Sequence, residues 1–123
     1  MQKTKLRILF VDDHDDTREL VSVLLRLSDY EVVTANDVAD ALKLARGEAF
    51  DLYVLDNKFP DGTGRELCER LREFDHETPV IFFTGDTSEA DKQQGLDCGA
   101  QGYVTKPDVA ALPRAIARVL HAG

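Results

Sequence analysis

Five short apolar runs alternate along this chain with longer segments of helical periodicity, and this alternation constrains the fold more than any other feature. Polar residues do not alternate within the runs, which is typical of parallel strands that helices cover on both faces. The pattern therefore predicts an α/β fold, a doubly wound parallel sheet with right-handed helical crossovers. The predicted strands are Arg7 to Val11, Glu31 to Ala35, Leu52 to Leu55, Val80 to Phe83 and Gly102 to Thr105.

Apolar stripes at helical spacing occupy the crossovers and predict the helix faces that cover the sheet. Asp15 and Asp16 suit the positive amino end of the first helix, and Gly47 ends the second. The segment Ser88 to Leu96 has few apolar positions, so we expect a polar, mobile fourth helix. Proline fits a first helical position, so the last helix is predicted to begin near Pro113. The stripes are Leu20, Leu24 and Leu27; Val38, Ala41, Leu42 and Ala45; Leu67, Leu71 and Phe74; and Ile116, Val119 and Leu120.

The composition of the chain argues against several classes of function. The 123 residues suit one domain, and the formal charge of −8, from 23 acidic and 15 basic residues, disfavours direct nucleic-acid binding. No apolar run reaches the length of a signal-peptide core or a membrane span, so we expect a cytoplasmic protein without membrane contact. Cys68 and Cys98 lack the spacing of a zinc site or a disulfide framework, and we expect them to be free thiols.

Four of the five predicted strand ends carry residues suited to phosphate chemistry. Ligands of a doubly wound sheet bind beyond the carboxyl ends of its strands. Carboxylates that converge there repel each other unless a cation lies among them, and Mg²⁺ prefers such oxygen ligands. Asp56 is the natural nucleophile, because an aspartate can form an acyl phosphate, while Lys106 and Thr84 could bind phosphate oxygens. The strand ends carry Asp12-Asp13, Asp56, Thr84 and Thr105-Lys106-Pro107.

Four segments, in order and at suitable spacing, resemble the receiver domain of bacterial two-component response regulators over essentially the whole chain. They are ILFVDD at 8–13, LDNKFPDGTG at 55–64, FTG at 83–85 and GYVTKP at 102–107. The resemblance implies a flavodoxin-like (βα)5 three-layer sandwich with strand order 2-1-3-4-5. It also implies one receiver domain over residues 1–123 without an output domain, either stand-alone or excised from a larger regulator.

The same resemblance implies a phosphoacceptor, a donor and a metal. Asp56 would accept a phosphoryl group from a sensor histidine kinase or a histidine phosphotransfer protein. Mg²⁺, for which Mn²⁺ is expected to substitute, would be held by Asp13, Asp56 and the backbone carbonyl of Lys58. Asp12 would act mainly through a metal-bound water. Such a domain is not an enzyme in the usual sense, since it only phosphorylates and dephosphorylates itself.

The resemblance further implies a switch. Thr84 would be the hydroxyl that moves toward the acyl phosphate, and Lys106 would pair with the phosphate. Tyr103 would change rotamer with Thr84, or would simply pack at the strand edge. The bond between Lys106 and Pro107 is a candidate cis peptide. The surface of the fourth helix, fifth strand and last helix would then switch for an unidentified protein partner, with a phosphorylation-dependent dimer left open.

Three positions depart from the common pattern of the family. Lys58 and Asp86 are expected to overhang the phosphoryl site, and we hypothesise that they form a gate that hinders hydrolysis of the acyl phosphate. The alternative is two solvated charges. The last helix is expected to start near Pro113, later than is common in the family. This would make the surface formed by the fourth helix, fifth strand and last helix unusual. His14 follows the acidic pair, but Mg²⁺ disfavours imidazole, so a surface histidine at the helix entry is expected.

Two other functions compete with a phosphorylated receiver. Asp61-Gly62-Thr63 superficially resembles part of the signature of a phosphohydrolase of the haloacid dehalogenase type. That signature needs a second aspartate two residues after the nucleophile, where this chain has Lys58. A receiver that signals without phosphorylation is the other alternative. Turnover of a phosphate ester would favour the hydrolase, whereas one acid-stable, base-labile label would favour the phosphorylated receiver.

Overall fold

A parallel sheet of five strands forms the centre of the computed structural model, which describes residues 5–85, 88–106 and 108–121. Within these ranges the strand order is β2-β1-β3-β4-β5, which confirms the predicted doubly wound topology. Asp86 and Pro107, two residues of the predicted site, lie outside the described residues. The strands are β1 (Arg7–Val11), β2 (Glu31–Ala35), β3 (Leu52–Leu55), β4 (Val80–Thr84) and β5 (Gly102–Thr105).

Helices cover both faces of the sheet, because successive strand residues point to opposite sides. Ile8 and Phe10 pack with residues of the first and last helices, whereas Leu9 and Val11 pack with residues of the second and third. The fourth helix lies on the same face as these two, because its Gly95 packs on Phe82. The result is the predicted three-layer sandwich. No helix in the described ranges has the length and apolar character needed to cross a bilayer. The helices are α1 (Asp15–Leu27), α2 (Val38–Gly47), α3 (Gly64–Arg72), α4 (Glu89–Asp97) and α5 (Ala111–Leu120).

A small antiparallel ribbon, Lys58–Phe59 paired with Gly62–Thr63, shapes the loop after β3. The Thr63 hydroxyl accepts a hydrogen bond from the Glu66 N–H, and the Glu66 carboxylate accepts one from the Thr63 N–H, each at 3.1 Å. This reciprocal capping box starts α3 directly after the ribbon. The ribbon and the capping box at the start of α3 therefore fix the loop that follows β3.

The apolar face of α1 differs from the prediction. Leu20 and Leu27 are 56% and 80% exposed, while Val21 and Leu25 are buried against the sheet. Apolar residues surround most of this helix, so their spacing did not determine which side faces the core. The α2 stripe is confirmed as buried, but Phe74 lies beyond the end of α3 and is exposed.

The last helix begins two residues earlier than predicted, at Ala111 instead of Pro113. Pro113 takes the third helical position, which it tolerates because the first N–H groups of a helix have no partner within the helix. Leu112 is fully buried, although the predicted stripe did not include it. The inner face of α5 consists of Leu112 and Ile116, which are buried, and Val119 and Leu120, which are half-buried.

Candidate functional site

The backbone of the parallel sheet places the predicted acidic and basic residues at one edge. The N–H of Asp56 donates to the carbonyl of Val11 at 3.0 Å, and the N–H of Lys106 donates to that of Thr84 at 2.9 Å. These bonds extend the pairing of adjacent strands by one residue. Asp12 follows β1 in the same way. Residues from four strand ends therefore meet beyond the carboxyl edge, where ligands of such sheets bind.

Lys106 joins the two most buried carboxylates of this edge. Its Nζ lies 2.7 Å from Oδ2 of Asp12 and 3.1 Å from Oδ2 of Asp56. Burial acts to lower the pKa of Lys106, but the hydrogen bond to Asp12 and the charge of Asp56 outweigh it, and the pKa is raised. The ammonium group therefore stays charged and offsets the repulsion between the two buried acids.

The main chain holds Asp56 from its other side. The Asn57 N–H donates to Oδ1 of Asp56 at 2.7 Å, so both carboxylate oxygens have partners. Gly64 packs directly behind it: a Cβ there would lie 2.2 Å from the Asp56 carbonyl oxygen and 2.8 Å from the Phe82 ring. Only glycine allows the start of α3 to approach Asp56 this closely.

Asp12, Asp13, His14 and Asp56 offer ligand atoms that all lie within 4.8 Å of one another. The three carboxylates supply the hard oxygen donors that Mg²⁺ prefers, so the donor set fits the predicted ion. His14 is 65% exposed at the start of α1, as predicted. Its Nδ1 nevertheless lies 3.0 Å from Asp12 Oδ1 and 3.1 Å from Asp13 Oδ1. The sequence signal for this contact was only that His14 directly follows the acidic pair.

These groups line an open crevice. Thr84 is buried at its floor, and Lys58 is exposed on the ribbon that borders it. The partner of Lys58 in the hypothesised gate, Asp86, is one of the residues outside the described ranges, so the gate stays a prediction. The same holds for the metal-binding role of the Lys58 carbonyl. The crevice is lined by Asp13, His14, Asp56, Lys58, Thr84, Gly85 and Lys106.

Tyr103 does not line this crevice. It lies half-buried on β5 beside a groove that α5 borders, and its ring centroid is 6.0 Å from that of Phe82. Gly95 of α4 packs over both rings, since a Cβ there would lie 3.0 Å from Phe82 and 3.5 Å from Tyr103. Tyr103 of β5 thus lies close to both Phe82 of β4 and Gly95 of α4.

Asp61, part of the hydrolase-like tripeptide, has a different position. Its carboxylate accepts hydrogen bonds from the N–H groups of Val38 at 2.9 Å and Ala39 at 3.0 Å. Burial acts to raise the pKa of Asp61, but these bonds to the amino end of α2 outweigh it and the pKa is lowered. Asp61 therefore ties the ribbon to α2 and is not among the residues that line the crevice.

The response regulator receiver domain model matches residues 8–117. The alkaline phosphatase synthesis transcriptional regulatory protein PhoP of Bacillus subtilis is 42% identical over 101 residues, which are 82% of this chain and 42% of that protein. The chemotaxis protein CheY4 of Vibrio cholerae superposes with a TM-score of 0.90 at 35% identity, covering 95% of this chain and 100% of that one. The response regulator TrrA of Thermotoga maritima, solved in complex with Mg²⁺-BeF, has a TM-score of 0.85 at 28% identity, covering 94% and 99% of the two chains.

The chain belongs to the response regulator receiver domain family of two-component systems. Domains of this family are signalling modules. The chain spans less than half the length of the curated relatives it matches first, such as the Bacillus subtilis regulator.

Proposed function

We propose that this chain is a phosphorylation-controlled signalling module that accepts a phosphoryl group on Asp56 from the phosphohistidine of a sensor histidine kinase or a histidine phosphotransfer protein. One observation carries the proposal: Lys106 Nζ binds Oδ2 of both Asp12 and Asp56, at 2.7 and 3.1 Å, although the acids are buried. A lysine that only stabilises the fold through an ion pair needs one acidic partner. Two acids around one ammonium leave excess negative charge beside an open crevice, which suits a site that completes itself with a cation and a phosphoryl group.

The transfer uses groups that the chain already holds in place. A carboxylate oxygen of Asp56 attacks the phosphorus, the P–N bond to the donor imidazole breaks, and the imidazole keeps the bonding electron pair. The Lys106 ammonium then pairs with a phosphoryl oxygen, and the Thr84 hydroxyl at the crevice floor donates a hydrogen bond to another. Lys106 compensates a carboxylate before the transfer and a phosphoryl group after it.

The acidic cluster is the proposed holder of Mg²⁺, with Mn²⁺ as a substitute. Asp13 and Asp56, together with the backbone carbonyl of Lys58, would hold the ion, and Asp12 would act mainly through a metal-bound water. A bound Mg²⁺ neutralises negative charge on the phosphoryl group as it is transferred. The Mg²⁺-BeF complex of the Thermotoga maritima regulator, a structural neighbour of this chain, supports the assignment.

The proposed output is a change in the surface formed by α4, β5 and α5. Phosphorylation adds about −1.5 to −2 charges at the crevice, and that charge must favour one of two conformations. Thr84 ends β4 in the crevice, and Tyr103 packs against Phe82 and Gly95 two residues before β5 ends. A movement of Thr84 would repack Tyr103 and shift α4. A downstream protein partner, or a second phosphorylated copy, would recognise the shifted surface.

Intact mass spectrometry tests the acceptor. Wild type incubated with acetyl phosphate and Mg²⁺ should gain one phosphoryl group, which should be stable in acid and lost in base. Asp56→Asn should gain none, and chelation of the metal should suppress the gain on wild type. Asp97→Asn, at the exposed end of α4, is the matched control and should be labelled like wild type. A wild type that gains nothing, or an equal gain on Asp56→Asn, would overturn the proposal.

A further inference from the structure

Cys68 and Cys98 come together on the face of the sheet opposite to α1 and α5. Cys68 is fully buried on α3, and Cys98 is half-buried in the turn that follows α4. The Cys68 thiol donates to the carbonyl oxygen of Cys98 at 3.4 Å, and the Cys98 thiol lies 3.0 Å from the carbonyl oxygen of Gly95. Both are free thiols, and neither takes part in the phosphoacceptor site. The two cysteines are 30 positions apart in the sequence, so only the fold brings them together.

The surroundings shift the pKa values of the two thiols in opposite directions. The neighbouring Cys68 thiol, assisted by the Arg72 guanidinium, lowers the pKa of Cys98 despite its burial. The closeness of Cys98, together with burial, raises the pKa of Cys68. Arg72 is fixed beside the pair, because it donates to the carbonyls of Asp75 at 3.1 Å and Thr78 at 2.6 Å. Cys98 is therefore the more nucleophilic and more accessible thiol, and Cys68 its protonated neighbour.

The turn after α4 is the exposed part of the chain next to the pair. Cys98 is followed by Gly99, which has a positive φ of 92° and is exposed. A Cβ at Gly99 would lie 3.8 Å from Arg72 Nε, so the guanidinium flanks the same turn. Cys98 is thus half-buried beside an exposed turn, whereas Cys68 is fully buried.

We propose that Cys98 is a site of oxidation by peroxides and that Cys68 then converts the oxidised Cys98 into an intramolecular disulfide. The Cys98 thiolate attacks one peroxide oxygen, the O–O bond breaks, and the leaving hydroxide takes a proton to become water. The sulfur of Cys68 next attacks the sulfur of the resulting sulfenic acid. The S–O bond breaks, and the hydroxide leaves as water with the Cys68 proton. Two thiols lose two electrons in total, and hydrogen peroxide is reduced to two waters.

The disulfide would join α3 to the end of α4. Gly95, one helical turn before Cys98, is the residue that packs over Phe82 and Tyr103. Oxidation would therefore restrain α4 relative to these rings while leaving Asp56 and its partners untouched. This consequence for signalling rests on the proposed function, but the oxidation itself does not. A failure to phosphorylate Asp56 and a failure to form the disulfide would be separate results.

Thiol counting by mass spectrometry tests the modification. Wild type treated with hydrogen peroxide, denatured and alkylated should lose the mass of two hydrogens, bind no alkylating agent, and recover both thiols with dithiothreitol. Peptide mapping should find Cys68 linked to Cys98 within one chain. Cys98→Ser should form no sulfenic acid on the remaining Cys68. Wild type that keeps both thiols reactive, or that forms a bond only between chains, would overturn the proposal.

Dimedone, which traps sulfenic acids, tests the order of the two cysteines. Cys68→Ala and Cys68→Ser should both accumulate a dimedone adduct on Cys98, because the resolving thiol is gone, whereas wild type should show several-fold less. Circular dichroism melting of each variant identifies the one that remains folded. If trapping on Cys98 in the folded variant does not exceed that in wild type, the roles assigned to the two thiols are wrong. If neither variant folds, the wild-type and Cys98→Ser results decide the proposal.

Discussion

Lys106 Nζ and Asp12 Oδ2 are 2.7 Å apart although the two residues are 94 positions apart in the sequence. The bond crosses the carboxyl edge of the sheet from β5 to β1, past Asp56, and Asp12 is fully buried. An ammonium group in this position stabilises acids that would otherwise repel each other. The charge balance of the crevice therefore depends on a contact that no local stretch of sequence contains.

Lys106→Met should destabilise the protein in the absence of divalent ions. Removing the ammonium leaves Asp12 and Asp56 uncompensated and buried, which should cost on the order of 2–3 kcal/mol in the free energy of unfolding. Added Mg²⁺ should restore more stability to this variant than to wild type, because the ion takes over the compensation. Urea unfolding with and without Mg²⁺ measures both effects. Lys43→Met, at an exposed position of α2, is the control, and equal stability of the two variants would contradict the prediction.

If Lys58 and Asp86 form the hypothesised gate, they should lengthen the lifetime of the acyl phosphate. If these residues hinder in-line attack by water, Lys58→Ala and Asp86→Ala should each raise the rate of dephosphorylation. An exposed ion pair is worth about 0–1 kcal/mol, so the increase should be about fivefold at most. Decay of the phosphorylated mass after removal of acetyl phosphate measures the rate. Arg65→Ala, on the exposed side of α3, should decay like wild type; unchanged rates in both gate variants would mean that no gate exists.

Gly64→Ala should disturb Asp56 through the backbone. The added Cβ would lie 2.2 Å from the Asp56 carbonyl oxygen, so α3 or the loop after β3 must move, at a cost of about 1–3 kcal/mol. Labelling by acetyl phosphate should also slow, since the carboxylate moves with its main chain. Gly47→Ala is the matched control, because a Cβ at that helix end meets nothing within 4 Å. Equal unfolding midpoints for the two variants would contradict the close approach at Gly64.

Asp75 should contribute a pH-dependent part of the stability. Burial acts to raise its pKa, but hydrogen bonds from Thr78, Tyr53 and Glu77 outweigh it and lower the pKa from 3.8 to about 2. A folded-state pKa below the unfolded value stabilises the protein above pH 3.8, and this contribution is lost as pH falls toward 2. Asp75→Asn should therefore cost on the order of 2 kcal/mol at neutral pH and progressively less in acid.

Urea unfolding of wild type and Asp75→Asn across this pH range measures that difference. Glu73→Gln, an exposed acid at the end of α3, serves as the control for the loss of one negative charge. A difference between wild type and Asp75→Asn that does not shrink on acidification would show that the carboxylate acts through packing alone.

The sheet and the charged residues at its carboxyl edge were predictable, because both follow from local sequence patterns. Strands buried on both faces are continuous apolar runs, and four of the five ranges agree with the structure to the residue, while the fourth strand extends by one residue to Thr84. Asp12, Asp56 and Lys106 could be grouped because parallel strands must end at one edge.

The orientation of helices and the contacts between distant side chains were not predictable in the same way. Leu20 and Leu27 lie on the exposed side of α1. Six apolar residues are spread around that helix, so their spacing did not determine which side faces the sheet. His14 was correctly placed at the surface, yet its ring reaches Asp12 and Asp13. Cys68 and Cys98 carry no spacing motif at all, and only the packing of α3 against the turn after α4 brings them together.

The sequence by itself determined the α/β pattern, the strand order through its family resemblance, and the residues delivered to the carboxyl edge of the sheet. The α/β pattern and the residues at the carboxyl edge are properties of periodicity and of chain direction, which are local. The tertiary structure alone decided that Lys106 binds two acids, that Gly64 is forced by the approach of α3 to Asp56, and that two cysteines are neighbours. Those contacts depend on distances of a few ångströms between remote segments, and side-chain packing sets such distances only once the layers are assembled.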